Sequence, residues 1–205
     1  MKAKKIIMAA LCCFSVFSLV SCNLNDDNGN TGLSPVEIKT AYNAVKDIHS
    51  GKLVYTPLAS TGSSSSKNDT INISWDISTD STMTIHNFPV SALADNITSS
   101  NYSDLKTALE NVNTTDLSCF IGFYQLNPIS FLINPISPSF NLSYGGATHK
   151  IQIAFYLNTT YSAGIYDYQN NGILEMQIIE AGIYIDGSQS SALSTSKAFL
   201  IDSTK

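Results

Sequence analysis

Ile71-Asn72-Ile73-Ser74-Trp75-Asp76-Ile77 alternates apolar with polar residues, and the alternation resumes at Met83-Thr84-Ile85 after Thr79-Asp80-Ser81. Side chains of an extended chain point to opposite faces in turn. Residues 70 to 88 therefore read as an antiparallel hairpin with one buried face and one wet face. A lone hairpin is marginal in water, so the rest of the chain has to supply its neighbours.

Downstream, Pro89 interrupts the pattern and helical spacing runs from Val90 to Asn113. Leu105, Ala108, Leu109 and Val112 follow Ser103, a capping residue type, which predicts a helix over about 103–112. Beyond it only strand signals occur, at 117–126, 129–133, 139–144, 147–157, 162–168, 173–186 and 197–202. Tyr144-Gly145-Gly146-Ala147 and Gln169-Asn170-Asn171-Gly172 have hairpin-turn composition. Upstream, Ser34-Pro35-Val36-Glu37 has the form of a capping box with proline at the first helical position. Ile38, Ala41, Tyr42, Val45 and Ile48 extend it to a helix over about 35–49, with Gly51 placed to close it. Leu53 to Leu58 reads as a strand, and Ser60 to Asp69 as a mobile loop.

Two helices among eight to ten strands predict an α+β fold, predominantly antiparallel β, as a sheet or a partly closed barrel. The domain spans 34–205, and prolines 128, 135 and 138 would mark any sub-domain boundary near 127–139.

The chain begins with Lys2, Lys4 and Lys5, an apolar run from Ile6 to Val20, and Ser21-Cys22. The run is shorter than the roughly 20 residues of a membrane-spanning helix and has the flanks of a secretory signal. Leu19-Val20-Ser21-Cys22 resembles a bacterial lipobox, which implies cleavage after residue 21 and lipid on Cys22. Several acyl chains of the palmitate type would then hold the domain on a membrane, where one chain alone binds marginally. Residues 22–33 form a polar tether, and Asp26-Asp27 resembles the acidic signal for outer-leaflet display. The expected location is the outer membrane, exposed at the cell surface, with the periplasmic face as the alternative.

Composition excludes several functions. The 205 residues carry 11 basic and 16 acidic side chains, and every basic one is lysine. Losing residues 1–21 removes three of those lysines and makes the exported domain more acidic. Nucleic acid needs a clustered cationic surface and is not an expected partner. Without arginine there is no guanidinium fork for phosphate or carboxylate. Of the four cysteines only Cys119 is left for the folded domain, within an apolar run that predicts a buried, inert thiol.

No catalytic or metal-binding arrangement emerges. His49, His86 and His149 have no ligand partner at metal spacing. Asp26, Asn28, Asn30 and Glu37 match four positions of a calcium loop, but Thr31 occupies the obligatory glycine position and Glu37 belongs to the helix cap. Glu175 and Glu180, five apart on one strand, point to opposite faces and cannot act as a carboxylate pair. No nucleophile elbow or phosphate loop is present. The expectation is a protein that is not an enzyme and carries no cofactor.

Tyrosines crowd the carboxyl-terminal strands. Tyr144, Tyr156, Tyr166, Tyr168 and Tyr184 are the candidate ligand-binding residues, as stacking faces for a neutral glycan or walls for a small apolar ligand. Tyrosine is also an ordinary strand former. The competing reading is a structural or assembly subunit of an outer-membrane complex, with partners that the sequence does not name.

The lipobox, the acidic tether, the helix from Ser34, and Trp75-Asp76-Ile77-Ser78-Thr79-Asp80-Ser81-Thr82-Met83 followed by Asn87-Phe88-Pro89 together resemble an uncharacterised domain-of-unknown-function family of surface lipoproteins from Gram-negative gut anaerobes. The resemblance implies location and architecture and transfers no active site. Asp69-Thr70-Ile71, Asp80-Ser81-Thr82 and Asp202-Ser203-Thr204 resemble the O-glycosylation sequence of the same bacteria, which makes Thr70, Ser81 and Ser203 candidate modification sites, expected in loops or at the terminus.

Overall fold

The computed structural model describes residues 32–56, 69–169 and 172–203. The segment expected to be a signal, Cys22, the expected tether up to residue 31, Gln169-Asn170-Asn171-Gly172 in part and the Ser60 to Asp69 stretch apart from Asp69 lie outside the described residues. Leu33–Lys205 forms one compact unit, and residues 127–139 run through it. Among the described residues no helix is long and apolar enough to cross a membrane.

Among the described residues eleven strands form, most of them where the sequence alternates: β1 (Asp47–Tyr55), β2 (Asp69–Ile77), β3 (Thr82–Pro89), β4 (Thr114–Leu126), β5 (Ile129–Pro135), β6 (Ser139–Tyr144), β7 (Ala147–Phe155), β8 (Ala163–Asp167), β9 (Ile173–Ile185), β10 (Ser188–Gln189) and β11 (Lys197–Ser203). β1 to β5 pair in chain order, β5 continues to β8 and β9, and β9 returns through β11 to β1. All pairings are antiparallel. The ring of eight strands is thus closed, resolving the choice between a sheet and a partly closed barrel. Closure removes the free edges that an open sheet would expose.

The long strand β9 makes this possible by serving two partners along one edge. Its residues 173–177 pair with β8, and residues 180–185 pair with β7 across a register shift between Ala154 and Phe155. Its upper part, with β6, β7 and β10, continues past the barrel as a flap, whose Ile151, Ile153 and Ile183 are buried in the same core.

Inward positions carry large apolar side chains. Trp75, Phe88, Phe131 and Phe199 are fully buried, each contributing about 1.5–3 kcal/mol of burial. Phe88 meets Phe199 edge-on with centroids 5.2 Å apart, and Phe123 and Phe131 lie 5.4 Å apart. Two glycines belong to the wall. A Cβ on Gly51 would stand 2.0 Å from the Asp202 carbonyl oxygen, and one on Gly164 would stand 2.4 Å from the Phe131 ring.

The registers bring Tyr55, Pro89, Ala163, Glu180 and Lys197 to one end of the barrel, and Asp47, Ile77, Ile129 and Ser203 to the other. Helix α1 (Pro35–Val45) leads into that second end, with Tyr42 donating to the Ser78 carbonyl at 3.0 Å. Its capping box forms as expected, with Ser34 N–H donating to Glu37 Oε2 at 2.7 Å. The first end is roofed by α2 (Val90–Ala94), a 3-10 turn at Ser100–Tyr102 and α3 (Ser103–Glu110).

Helix boundaries depart from expectation where sheet pairing takes over. α1 stops at Val45 rather than 49, because Asp47 takes φ 99° and starts β1 opposite Ile77. Ile48, assigned to the apolar stripe, is 82% exposed. Gly51 closes no helix; it lets β11 approach β1. α3 ends at Glu110 rather than 112, and Ser103 is its first residue rather than its cap. The short helix α2 is unanticipated: the broad helical pattern from Val90 splits in two at Asp95.

Candidate functional site

At the roofed end of the barrel, the interior holds ionisable groups. Glu180 on β9 and Lys197 on β11 are opposite one another in register. Lys197 is 6% exposed and Glu180 has no exposure. Lys197 Nζ donates to Asp95 Oδ2 at 2.6 Å and to the Ala92 carbonyl at 3.3 Å, both at the end of α2. The same ammonium lies 4.8 Å from the centroid of the Tyr55 ring, a favourable cation–π position. Neither Glu180 oxygen has a hydrogen-bond partner. Burial pushes its carboxyl up to about 8, against a smaller opposing pull from Lys197, so Glu180 is mainly protonated at neutral pH.

The position of Glu180 in the sheet matters as much as its charge. It pairs with Phe155 of β7 directly beside the register shift, where β9 passes from barrel to flap. Bulges collect where a wall must bend or re-aim a side chain. Glu180 therefore lies at the roofed end of the barrel, opposite the lysine that bonds α2. Tyr55 stands beside the roof anchor with its hydroxyl donating to Asp69 Oδ2 at 3.2 Å, and its phenol is pushed up to about 12, first by burial and then by Asp69.

A second constellation lies on the outer face of β2, β3 and β4. His86 Nε2 is 2.7 Å from Asp76 Oδ1 and His86 Nδ1 is 3.2 Å from Asp116 Oδ2. Asp116 Oδ1 accepts from Asn87 N–H at 2.9 Å, and Ser78 Oγ donates to Asp76 Oδ2. Asn87, with φ 53°, occupies the register shift between Ile85 and Phe88. Asp116 thus clamps the bulge that turns Phe88 into the core. Carboxylates engage both ring nitrogens of His86, and Ser78 bonds an Asp rather than the imidazole, so this group gives no hydroxyl a base. Its hydrogen bonds, with Asp116 first, raise the His86 pKa.

A family model described as a domain of unknown function, DUF4840, matches residues 44–185. The chain belongs to the DUF4840 family. No curated protein and no solved structure matches it. The matched stretch includes Glu180 and the whole His86 cluster, whereas Lys197 and β11 lie beyond it. Trp75, Asp76, Ser78, Asn87 and Phe88, quoted above for their resemblance, form the hairpin core and the clamp of this DUF4840 chain.

The candidate tyrosines do not share one face. Tyr166 is partly buried against the core, where its hydroxyl would meet a Cβ on Gly172 at 3.1 Å. Tyr144 packs on His149 at the flap tip with ring centroids 4.6 Å apart, and His149 Nδ1 pairs with Asp186 Oδ2 at 2.7 Å. Tyr184 sits within the flap opposite Gln152 and Gln189. Tyr168 is exposed just beyond β8. Among the described residues, Tyr156 is the candidate with a neighbouring exposed ring, that of Tyr161 at 5.1 Å.

Of the candidate modification sites, Ser81 is exposed in the β2–β3 turn. Thr70 is exposed but within β2, and Ser203 is within β11, its Oγ accepting from Leu174 N–H at 2.9 Å. Thr70 is thus not in the loop expected for it, while Ser203 is the last residue of β11, two before Lys205. Cys119 is buried, with burial pushing its thiol up to about 12. Glu180 faces inward while Glu175 faces out beside Asp202, and no metal-binding group of three occurs among the described residues. The interior importance of Glu180 had one sequence signal, an acidic residue in the apolar stretch Ile178 to Ile183.

Proposed function

We propose that this DUF4840 protein is a lipid-anchored, non-enzymatic binding module of the cell envelope, which takes a small, mainly apolar ligand at the barrel mouth beneath α2. Anchoring through Cys22 and display at the outer membrane of a gut anaerobe rest on the lipobox and the acidic tether. The carrying observation for ligand binding is Glu180, whose two carboxyl oxygens are buried without a partner although Lys197 stands opposite in register. A buried polar group left unpaired costs about 1–3 kcal/mol. A bound molecule with a hydroxyl or amide would satisfy Glu180 while its apolar body lies on the barrel wall. Eight strands enclose an interior that side chains fill or that holds one small ligand.

Titration with a neutral naphthylamine fluorophore tests this reading. Saturable binding of one molecule per chain, abolished by Glu180→Phe with the fold intact by circular dichroism, is the expected result. Absence of saturable binding overturns it. Loss confined to Tyr156→Ala would assign the ligand to the exposed Tyr156–Tyr161 pair, the surface suited to a neutral glycan. The structural-subunit reading draws on Phe120 and Ile136, which are 55% and 49% exposed; reproducible recovery of one envelope partner, lost in Phe120→Ser, would favour it.

A further inference from the structure

The roof of the barrel is tied down by a cation that has two acidic residues within its reach. Lys197 spends its hydrogen bonds on the end of α2, at Ala92 O and Asp95 Oδ2. Glu180 stands directly opposite on the neighbouring strand, on the same inner face, with both oxygens unpartnered. Directly opposed residues of an antiparallel pair have Cβ atoms about 4.5–5.5 Å apart. A lysine side chain spans that gap by changing rotamers, without backbone movement.

We propose that Lys197 is an exchangeable lock on the barrel mouth, bonded to Asp95 when Glu180 is protonated and drawn to Glu180 when that carboxyl ionises, which loosens α2. The proposal rests on the binding site argued above, because it describes how access to that site is regulated. A buried carboxylate without compensation is strongly unfavourable, and the ammonium opposite is the cation positioned to compensate it. The groups facing this pair are Asp95 from the roof, Tyr55 from β1 and, through the Tyr55 hydroxyl, Asp69 from β2. Tyr55 is neutral throughout the working range, since its phenol is pushed up to about 12. The direction follows from Glu180: its pKa is raised by burial, so rising pH ionises it inside the fold and moves the lock from closed to loose.

Other roof ties explain why the change is a loosening. Asn96 Nδ2 donates to the Thr195 carbonyl, and Ile97 bridges Leu193. These bonds involve no titrating group. They hold the segment after α2 to the strand region preceding β11 while the Lys197–Asp95 bond is given up.

Hydrogen exchange of the full-length protein without any probe decides the matter. Protection factors, which are corrected for intrinsic base catalysis, should fall about tenfold for amides 91–97 between about pH 6 and pH 9 in the wild type. They should stay flat in Glu180→Gln, with Glu180→Leu as a second variant if that one folds poorly. In Asp95→Asn, the roof should be weakly protected already at the lower pH. A wild-type roof with constant protection, or a Glu180→Gln protein that keeps the pH response, overturns the lock. Because no ligand is present, this outcome is independent of whether the barrel takes the fluorophore: probe binding with a constant roof keeps the binding site and removes the lock.

Discussion

Glu180 and Lys197 are register partners across β9 and β11, both buried, yet no hydrogen bond joins them. The lysine is turned to the roof helix and the carboxyl is left bare. This arrangement supports the proposed site at the barrel mouth and gives stability a pH dependence.

Replacing Glu180 with leucine should stabilise the protein in mildly alkaline solution. The folded carboxyl is raised from 4.5 to about 8, so its contribution is most favourable below the unfolded value and is lost as pH rises towards the folded one. Denaturant melts should show Glu180→Leu gaining about 1–3 kcal/mol over wild type above that range. The gain should shrink at acid pH. A loss of stability at every pH would mean that the carboxyl makes a stabilising contact.

The His86 clamp titrates in the opposite sense to a depressed acid. Its imidazole is raised above 6.5, chiefly by the hydrogen bond with Asp116. The clamp contribution is therefore complete below the unfolded value and is lost as pH rises through the raised folded one. Imidazole proton shifts should report a midpoint above 6.5, moving down in Asp116→Asn. Asp116→Ala also strips the Asn87 amide of its acceptor, and should destabilise the bulge by about 1 kcal/mol.

Gly51→Ala should be among the most damaging single-methyl changes in the chain. The new Cβ would meet the Asp202 backbone carbonyl at 2.0 Å, so β1 and β11 would have to separate where the barrel closes. Overpacking of this kind costs about 1–3 kcal/mol, and more where backbone must move. Thermal melts should show a clear loss, whereas Gly122→Ala, with nothing within 4 Å of its Cβ, should be close to neutral.

Cys119 should be silent to thiol reagents until the barrel opens. It is buried, its Sγ donates weakly to the Leu117 carbonyl at 3.6 Å, and its pKa is pushed up to about 12. Thiolate is the reactive form. Labelling by an aromatic disulfide reagent should therefore follow global unfolding; rapid labelling of the native protein would contradict the burial.

Period-two alternation made most of the strands legible, because each barrel strand keeps one dry face and one wet face. Ile73, Trp75 and Ile77 face in as their spacing requires. Closure was not legible, since it depends on β9 pairing with β8 on one edge and β11 on the other, over separations that local pattern does not encode. Helix ends were misplaced for the same reason: the His49 ring lies stacked on Trp75 and donates to the Val45 carbonyl at 2.7 Å, which is a consequence of β1 pairing with β2. The site was hidden because Lys197, Asp95 and Glu180 are brought together only by the closed barrel and its roof. The tyrosine series, by contrast, was conspicuous in sequence, and the flap and barrel distribute it over separate surfaces.

The most direct test is the titration of the Glu180 side chain itself, followed through its carboxyl carbon by NMR in the folded protein. The expected midpoint is raised well above the ordinary carboxylate value, to about 8, with α2 amides shifting in the same transition. A midpoint near the ordinary 4.5 would show a solvated or paired carboxyl, and would remove both the ligand site and its lock.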